Sequence, residues 1–458
     1  MNCVVICCDT FRYDALAGEN VNTPNLDRLK KAGTMFTRAF AEGLPTIQAR
    51  RTMFTGRRSY PWRFEMDTRG LWPAIPGWHR VPSEQKVLAE ILLDAGYTTG
   101  FVSDTYHMFK STQNFVRGFS SWDYIRGQES DNVRSGPRSK VDISPYHPEG
   151  INHEKSHLTQ YLLNMLDRKS EEDYLTPRVF RSASRWLEDN TENAPFFLWV
   201  DSFAPHEYWD PPMEFPDMYF KTDKSRNYIL PQWLNGTSPS EDEIRRTRAL
   251  YFGYVTFVDK WIGRFLDKLE QLGLREDTLI LFTSDHGTEL WDRDRFGKGP
   301  SRAYAYNTQV PLVIADPESE QKGGVCDRLV QHLDILPTIC TRLGVNFPDD
   351  IDGIDLGPVM RNGNTIREKT ITAWSDTGSV RSEKWNLVFN TEDPQSRTEL
   401  YDLEADPEET ADVAAKNPEI VNEHLDFFRD TLHVDFPVPI RHHGDGRQAP
   451  PIPVYRRP

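Results

Sequence analysis

The chain has 458 residues, enough for one large domain or two unequal ones with real cores, and its apolar content of 38% excludes wholesale disorder. Its formal charge of −15 excludes a general nucleic-acid binder, because phosphate backbones demand a basic face, although a local basic pocket for one anion stays open. It contains no apolar run of about 18 residues, so no membrane span is expected.

Met1 to Cys8 lacks the basic leader and cleavage site of a signal peptide, and it runs straight into Asp9, so it is expected to form the first strand. Five cysteines, three of them in that strand, fit reduced buried thiols in a cytoplasmic protein better than a disulfide framework. A Cys3/Cys7/Cys8 metal site is the other option, with poor ligand spacing. Thr23 offers an N-cap, Pro24 the first helical position, and Gly33 the stop. Val87 to Ala95 repeats the helical pattern and feeds a strand ending at Phe101-Val102; Arg178 to Asp189 feeds the strand Phe196 to Val200. Glu241 to Leu272 reads as a long amphipathic helix, and Thr278 to Phe282 as the strand that delivers Asp285. Residues 60–82 and 110–160 show no clear periodicity and are expected to form long loops over the site.

From about 365 the pattern turns to short strands, Trp385 to Phe389 and Glu399 to Leu403, then a helix near 418–431. The expected fold class is therefore α/β: a large, mostly parallel sheet between helices, with a smaller α+β unit carrying a short antiparallel sheet. The expected domains are 1–364 (catalytic), 365–435 (smaller C-terminal unit) and 436–458, a Pro-rich extension lying along the surface or across a partner in a homo-oligomer.

Asp9 and the Asp285-His286 pair fall just past the carboxyl ends of strands, where open sheets of this type bind ligands. Thr46 follows Pro45 at the start of a helical stretch, where free amides and the helix dipole favour an anion. Arg50, one helical turn on, shares its face and is placed to clamp an oxygen of a bound phosphoryl or sulfuryl group. Two carboxylates, an imidazole and a hydroxyl could together hold one divalent metal and turn the hydroxyl into a nucleophile.

These segments resemble the sulfatase family of the alkaline phosphatase superfamily. The resemblance is carried by Asp9-Thr10-Phe11-Arg12-Tyr13-Asp14 with Thr23-Pro24-Asn25, by Gly43 to Gly56, by Ser284-Asp285-His286-Gly287, by His332-Leu333-Asp334, and by Leu400-Tyr401-Asp402-Leu403. It implies the alkaline phosphatase-like sandwich and a metal held by Asp9, Thr46, Asp285 and His286. It also implies Lys298, within Phe296-Gly297-Lys298-Gly299, as a contact to the transferred group, and His206, in Ala204-Pro205-His206, as general acid or leaving-group contact. Asp104, Tyr106 and His107 stand where the family has Gly-Lys-Trp-His and are expected at the substrate rim; His147, His153 and His157 lie in the irregular segment, as solvated loop residues or as contacts of a lid on the substrate. Trp62, Trp78 and Trp209 could line a sugar or aryl subsite or simply pack.

Two departures from the family pattern bear on chemistry. Many sulfatases have a second Asp at the position of Thr10, and calcium-class members often place Asn where His286 stands; an imidazole points to manganese or zinc, with calcium as the lesser option. More decisive, sulfatases convert a Cys or Ser at the position of Thr46 to formylglycine, and Thr46 cannot be converted. A sulfated Thr46 has no second hydroxyl on its carbon and so cannot collapse by elimination, whereas a phosphorylated Thr46 can be released by attack at phosphorus. The resemblance thus implies a hydrolase of phosphate mono- or diesters, phosphonate esters included, acting on a small-molecule or saccharide ester without nucleic acid or membrane partners. A sulfatase is the alternative, and a degenerate binding protein of the same fold the second alternative.

Overall fold

Alternation along the first strand divides the core into two layers. In the computed structural model, which describes residues 1–62, 77–78, 80–110, 113–146 and 157–438, β1 (Asn2–Cys8) is buried throughout. Successive side chains of a strand point to opposite faces. Val4, Ile6 and Cys8 therefore join one apolar layer, with the long helix Glu241–Gln271 and the helix Leu175–Asp189, while Cys3, Val5 and Cys7 join the other, under the helices Thr46–Thr55, Leu88–Asp94 and Ile335–Leu343.

The central sheet adds β2 (Thr34–Phe36), β3 (Thr98–Ser103), β4 (Ser121–Tyr124), β5 (Phe196–Ser202), β6 (Thr278–Ser284), β7 (Leu312–Ala315) and β8 (Gly324–Cys326), in the spatial order β8-β2-β7-β6-β1-β5-β3-β4. Only β7 runs against its neighbours β6 and β2; the other pairings, β1 with β5 and β6, β3 with β4 and β5, and β8 with β2, are parallel. A second sheet is fully antiparallel: β9 (Thr370–Trp374), β10 (Thr377–Arg381), β11 (Trp385–Asn390) and β12 (Thr398–Asp402), covered by the helix Pro418–Leu432. This is the α/β architecture that the sequence led us to expect: among the described residues a large mixed sheet and a four-stranded antiparallel one, with two two-stranded pairings beside them.

Two local expectations need correction. Residues 110–160 are not loop throughout: β4 forms the edge of the main sheet and a helix spans His157–Asn164. The strand is only four residues long and mostly exposed, so it carries no apolar alternation to read. Thr23 precedes the helix Pro24–Ala32, but its side chain makes no cap hydrogen bond. The buried carboxylate of Asp259, on the long helix, accepts from the Asn25 and Leu26 amides instead (3.1 and 2.8 Å), satisfying the free N–H groups from another element.

Two contacts fix the helix that begins at Thr46. Phe54 near its end packs against Phe101, Phe115, Phe119 and Trp199. Before its start, Leu44 donates to the Ala373 carbonyl (2.9 Å) and Ala373 donates to the Glu42 carbonyl (2.8 Å), so β9 of the small sheet grips the approach to Thr46. His147, His153 and residues 439–458 of the Pro-rich extension lie outside the described residues. Among the described residues no helix is long and apolar enough to cross a membrane.

Candidate active site

Adjacent strands deliver acids to one edge of the main sheet. Asp9 follows β1, Asp285 follows β6, and Asp201 lies near the end of β5 between β1 and β3. All three are fully buried, as is Arg50 on the helix Thr46–Thr55. A buried guanidinium must be matched by charge and hydrogen-bond acceptors. Arg50 meets that requirement from the chain itself: Nε and Nη2 donate to the two oxygens of Asp201 (2.9 Å each), and Nη1 donates to Asp285 (2.5 Å) and to the Thr46 carbonyl (3.2 Å), with Asp9 at 3.1 Å. The expected role of Arg50 as an oxygen clamp is therefore corrected. Its donors are directed at carboxylates, and it ties the backbone of Thr46 to the acids of three strands.

Asp9, Asp285 and His286 each offer a ligand atom, all lying within 4.8 Å of one another. Whether the set fits a cation is decided by what these atoms lack. Both carboxylate oxygens of Asp9 and Nε2 of His286 are buried without a hydrogen-bond partner, Asp9 Oδ2 having only its ion pair with Arg50, a condition that a bound cation would relieve. His286 Nδ1 lies 2.7 Å from the Gly287 carbonyl, so that nitrogen carries the proton and Nε2 presents a lone pair, the usual arrangement of a metal-bound histidine. Burial also pushes the His286 pKa down to about 4, keeping the ring neutral. Asp285 accepts from the Thr10 and His286 amides (3.0 and 2.8 Å), which hold it in place and leave its second oxygen toward Arg50. Burial, then the neighbouring Asp285, raise the Asp9 carboxyl well above its ordinary range against the pull of Arg50. Two such carboxylates side by side resist carrying two charges, and a divalent cation removes that conflict. The donor set fits a divalent metal ion. The Thr10 hydroxyl is also buried without a partner, on a residue held at φ 57°.

Lys298 directly follows the short strand Arg295–Gly297, which pairs with Glu289–Asp292, and bridges to the segment after β5. Its Nζ lies 2.8 Å from His206 Nε2 and 2.9 Å from a Glu207 carboxylate oxygen, while His206 Nδ1 lies 2.6 Å from the Glu207 carbonyl. An ammonium can only donate and a carbonyl only accept, so His206 carries its proton on Nδ1 and receives a hydrogen bond at Nε2. Burial, then the charge of Lys298, lower the His206 pKa. Lys298 itself is raised: burial would lower it, but Glu207 and Asp9 outweigh that. The acidic proton at this place therefore sits on Lys298, where the sequence pointed to His206.

The three rim residues separate. Asp104 is fully buried and accepts from the Phe203 amide and Gln128 Nε2 (2.6 Å each), with its pKa pushed up to about 7 mainly by burial. It pins two loops together and is not at a substrate rim, which corrects that expectation. Tyr106 and His107 face Glu129 instead, the tyrosine hydroxyl donating at 2.9 Å and His107 Nε2 lying at 3.3 Å. Thr105, at the place of the family's Lys, donates to Asp201 (2.6 Å). His157 is exposed at a helix start. Trp209 is packed in the core, and Trp62 donates its indole N–H to the Ser375 carbonyl (2.7 Å) in the small-sheet core; only Trp78 stands beside the site, its ring 4.6 Å from that of His107. Asp201, Glu129 and Glu207 were missed. Asp201 carried the same signal as Asp9, an acid at the end of a buried strand, whereas the two glutamates carried none.

Comparison with known proteins bears on the family and the fold. The family model described as Sulfatase matches residues 1–345, and the model described as N-sulphoglucosamine sulphohydrolase, C-terminal, matches 301–426. An arylsulfatase of Clostridium perfringens is 25% identical over 94% of this chain and 93% of its own length. The multifunctional alkaline phosphatase superfamily protein PehA of Trinickia caryophylli is 26% identical over 75% of this chain and 72% of its own. The crystal structure of a phosphonate monoester hydrolase of Agrobacterium radiobacter superposes with a TM-score of 0.71 at 22% identity, covering 94% of this chain and 95% of that one.

Proposed function

The chain belongs to the sulfatase family of the alkaline phosphatase superfamily, whose members hydrolyse ester bonds, and from that premise we propose that it is a metal-dependent hydrolase of phosphate mono- or diesters, phosphonate esters included, working through a phosphorylated Thr46. The observation that carries the reading is the residue at the helix start: a threonine, whose backbone carbonyl shares the Arg50 Nη1 nitrogen with Asp285. Its hydroxyl can act as a nucleophile, but its carbon bears one oxygen only.

Asp9, Asp285 and His286, with Thr46 as the fourth donor, would hold the ion, and imidazole in the set favours manganese or zinc over calcium. When bound, the ion supplies the field that lowers the pKa of the Thr46 hydroxyl. Thr46 Oγ1 attacks phosphorus as its proton passes to solvent, and the bond from phosphorus to the leaving oxygen breaks. That oxygen takes a proton from Lys298, whose ammonium is oriented by His206 and Glu207. Water then attacks phosphorus and gives one proton back to Lys298, the bond to Thr46 breaks as Thr46 Oγ1 takes up a proton from solvent, and phosphate or its monoester is released. Arg50 acts one step back, holding Asp201, Asp285 and the Thr46 backbone in register.

The second reading is a sulfatase, supported by the arylsulfatase similarity across 94% of the chain. Sulfated Thr46 would have to be cleared by attack at sulfur, without the elimination open to formylglycine. Matched aryl phosphate, phosphodiester, phosphonate and sulfate esters, assayed with manganese and with zinc, separate the two. Turnover of phosphorus esters well above sulfate supports the proposal, and the reverse order overturns it. Five buried thiols without a disulfide suit a reducing compartment such as the cytoplasm, and the extension from 436 onward is the segment proposed for self-association.

A further inference from the structure

We propose that Glu129 is a positioning residue of this active site: one carboxylate that sets the ring of His107 and flanks that of His206 on the leaving-group side. The inference rests on the phosphoester reading for its kinetic part and on geometry alone for its structural part. Glu129 sits in a loop anchored at several points. Gln128 donates to Asp104, Asp131 accepts from the Gly127 amide and from Arg126, and Glu129 itself takes φ 42°, a left-handed value uncommon outside glycine. The loop thereby aims the Glu129 side chain, three-quarters covered, between two elements. From the turn after β3, the Tyr106 hydroxyl donates to Oε2 at 2.9 Å and His107 Nε2 approaches the same oxygen at 3.3 Å. From the segment after β5, His206 Nδ1 lies 3.7 Å from Oε1. Lys110, Lys298 and Tyr208 are the other titratable groups whose charges Glu129 feels or affects.

A carboxylate only accepts, so its approach to Nε2 favours the His107 proton on that nitrogen, and Nδ1, buried and without a hydrogen-bond partner, is left as a lone-pair acceptor. His206 is set in the opposite tautomer, proton on Nδ1, by the Glu207 carbonyl; its Nε2 thus stays free to orient Lys298. Glu129 is an acidic group that stands beside both rings, which also share the Phe203 ring as an apolar neighbour. No bond to Glu129 forms or breaks; it fixes which nitrogen of His107 bears the proton and how the two rings stand relative to Lys298.

The test uses the full chain labelled with 15N-histidine, with His107 and His206 assigned through His107→Gln and His206→Gln. The wild type is expected to show His107 protonated on Nε2 and His206 on Nδ1. Glu129→Ala should let His107 exchange between tautomers and lower kcat for the preferred ester on the order of 10- to 100-fold with KM changed less than about threefold. Glu129→Gln, which retains an acceptor oxygen, should recover part of both. A wild-type His107 protonated on Nδ1, or tautomers and kcat unchanged in Glu129→Ala, overturns the proposal. Should the wild type turn over no phosphorus ester, the phosphoester reading fails by itself, and the tautomers still decide the role of Glu129.

Discussion

Removing the guanidinium of Arg50 tests the charge arrangement on which the site is built. Arg50 forms ion pairs with Asp9, Asp201 and Asp285 at 3.1, 2.9 and 2.5 Å, with every partner fully buried. Arg50→Met keeps the volume and deletes the charge. Breaking one buried pair costs about 3–5 kcal/mol, because a carboxylate is left uncompensated. Three partners do not triple that cost. Asp201 retains donors from Thr105 and Trp199 (2.6 and 3.2 Å), Asp285 retains two backbone amides, and Asp9, already raised well above its ordinary range, can take up a proton. A loss of about 3–5 kcal/mol is therefore expected, a large share of the roughly 5–15 kcal/mol that holds a typical fold. The same deletion removes a positive charge facing the metal ligands, so Arg50→Met should bind manganese more tightly than the wild type while being less stable without it. Urea unfolding followed by tryptophan fluorescence, in EDTA and in manganese, reads both effects. Metal-free stability within about 1 kcal/mol of wild type would refute the reasoning, as would a deficit that manganese does not narrow.

Acid sensitivity should follow the buried histidines. His332 is buried, with Nε2 2.8 Å from the Ser284 carbonyl and its pKa pushed down to about 4 by burial. Between pH 6.5 and 4 the unfolded chain binds a proton that the folded chain refuses, so stability falls as pH drops through that window, by up to about 1.4 kcal/mol per pH unit for this group; in His332→Gln the slope measured by urea unfolding should be shallower by that one proton. Lys298→Ala should lower kcat by about 10²- to 10³-fold with ordinary alcohol leaving groups and by much less with an activated aryl leaving group, since the latter needs no proton. A uniform loss across leaving groups in a Brønsted series would remove Lys298 from the proton-donor role.

What could be read in the sequence was what is local. Asp9 and Asp285-His286 stand at the ends of continuous apolar strands, and strand ends on one edge of a parallel sheet converge whatever the intervening chain does. The opening strand, the long helix and the small antiparallel sheet were likewise visible as uninterrupted patterns. Arg50 was misread because helical spacing shows which face a side chain leaves from but not what lies opposite. Two of its three acid partners are 151 and 235 residues away, and only burial turns a guanidinium from a substrate clamp into the counter-ion of three acids. Asp104 failed for the same reason, its acceptors being committed to a loop beyond β4 and to the segment after β5. Glu129 and Glu207 had no pattern to announce them, since both lie in irregular segments without periodicity. Thr23 shows local propensity yielding to tertiary context: a good capping residue stood at the helix start, yet a buried aspartate from the long helix does the capping.

The central claim is that Thr46 becomes phosphorylated in turnover, and acid quenching of the metal-loaded enzyme with a 33P-labelled phosphoester, followed by peptide mapping, tests it most directly. Label on the peptide containing Thr46, appearing within one turnover and absent from Thr46→Ala, is the expected result. Steady turnover of the same ester with no label on that peptide, or wild-type rates in Thr46→Ala, would contradict it.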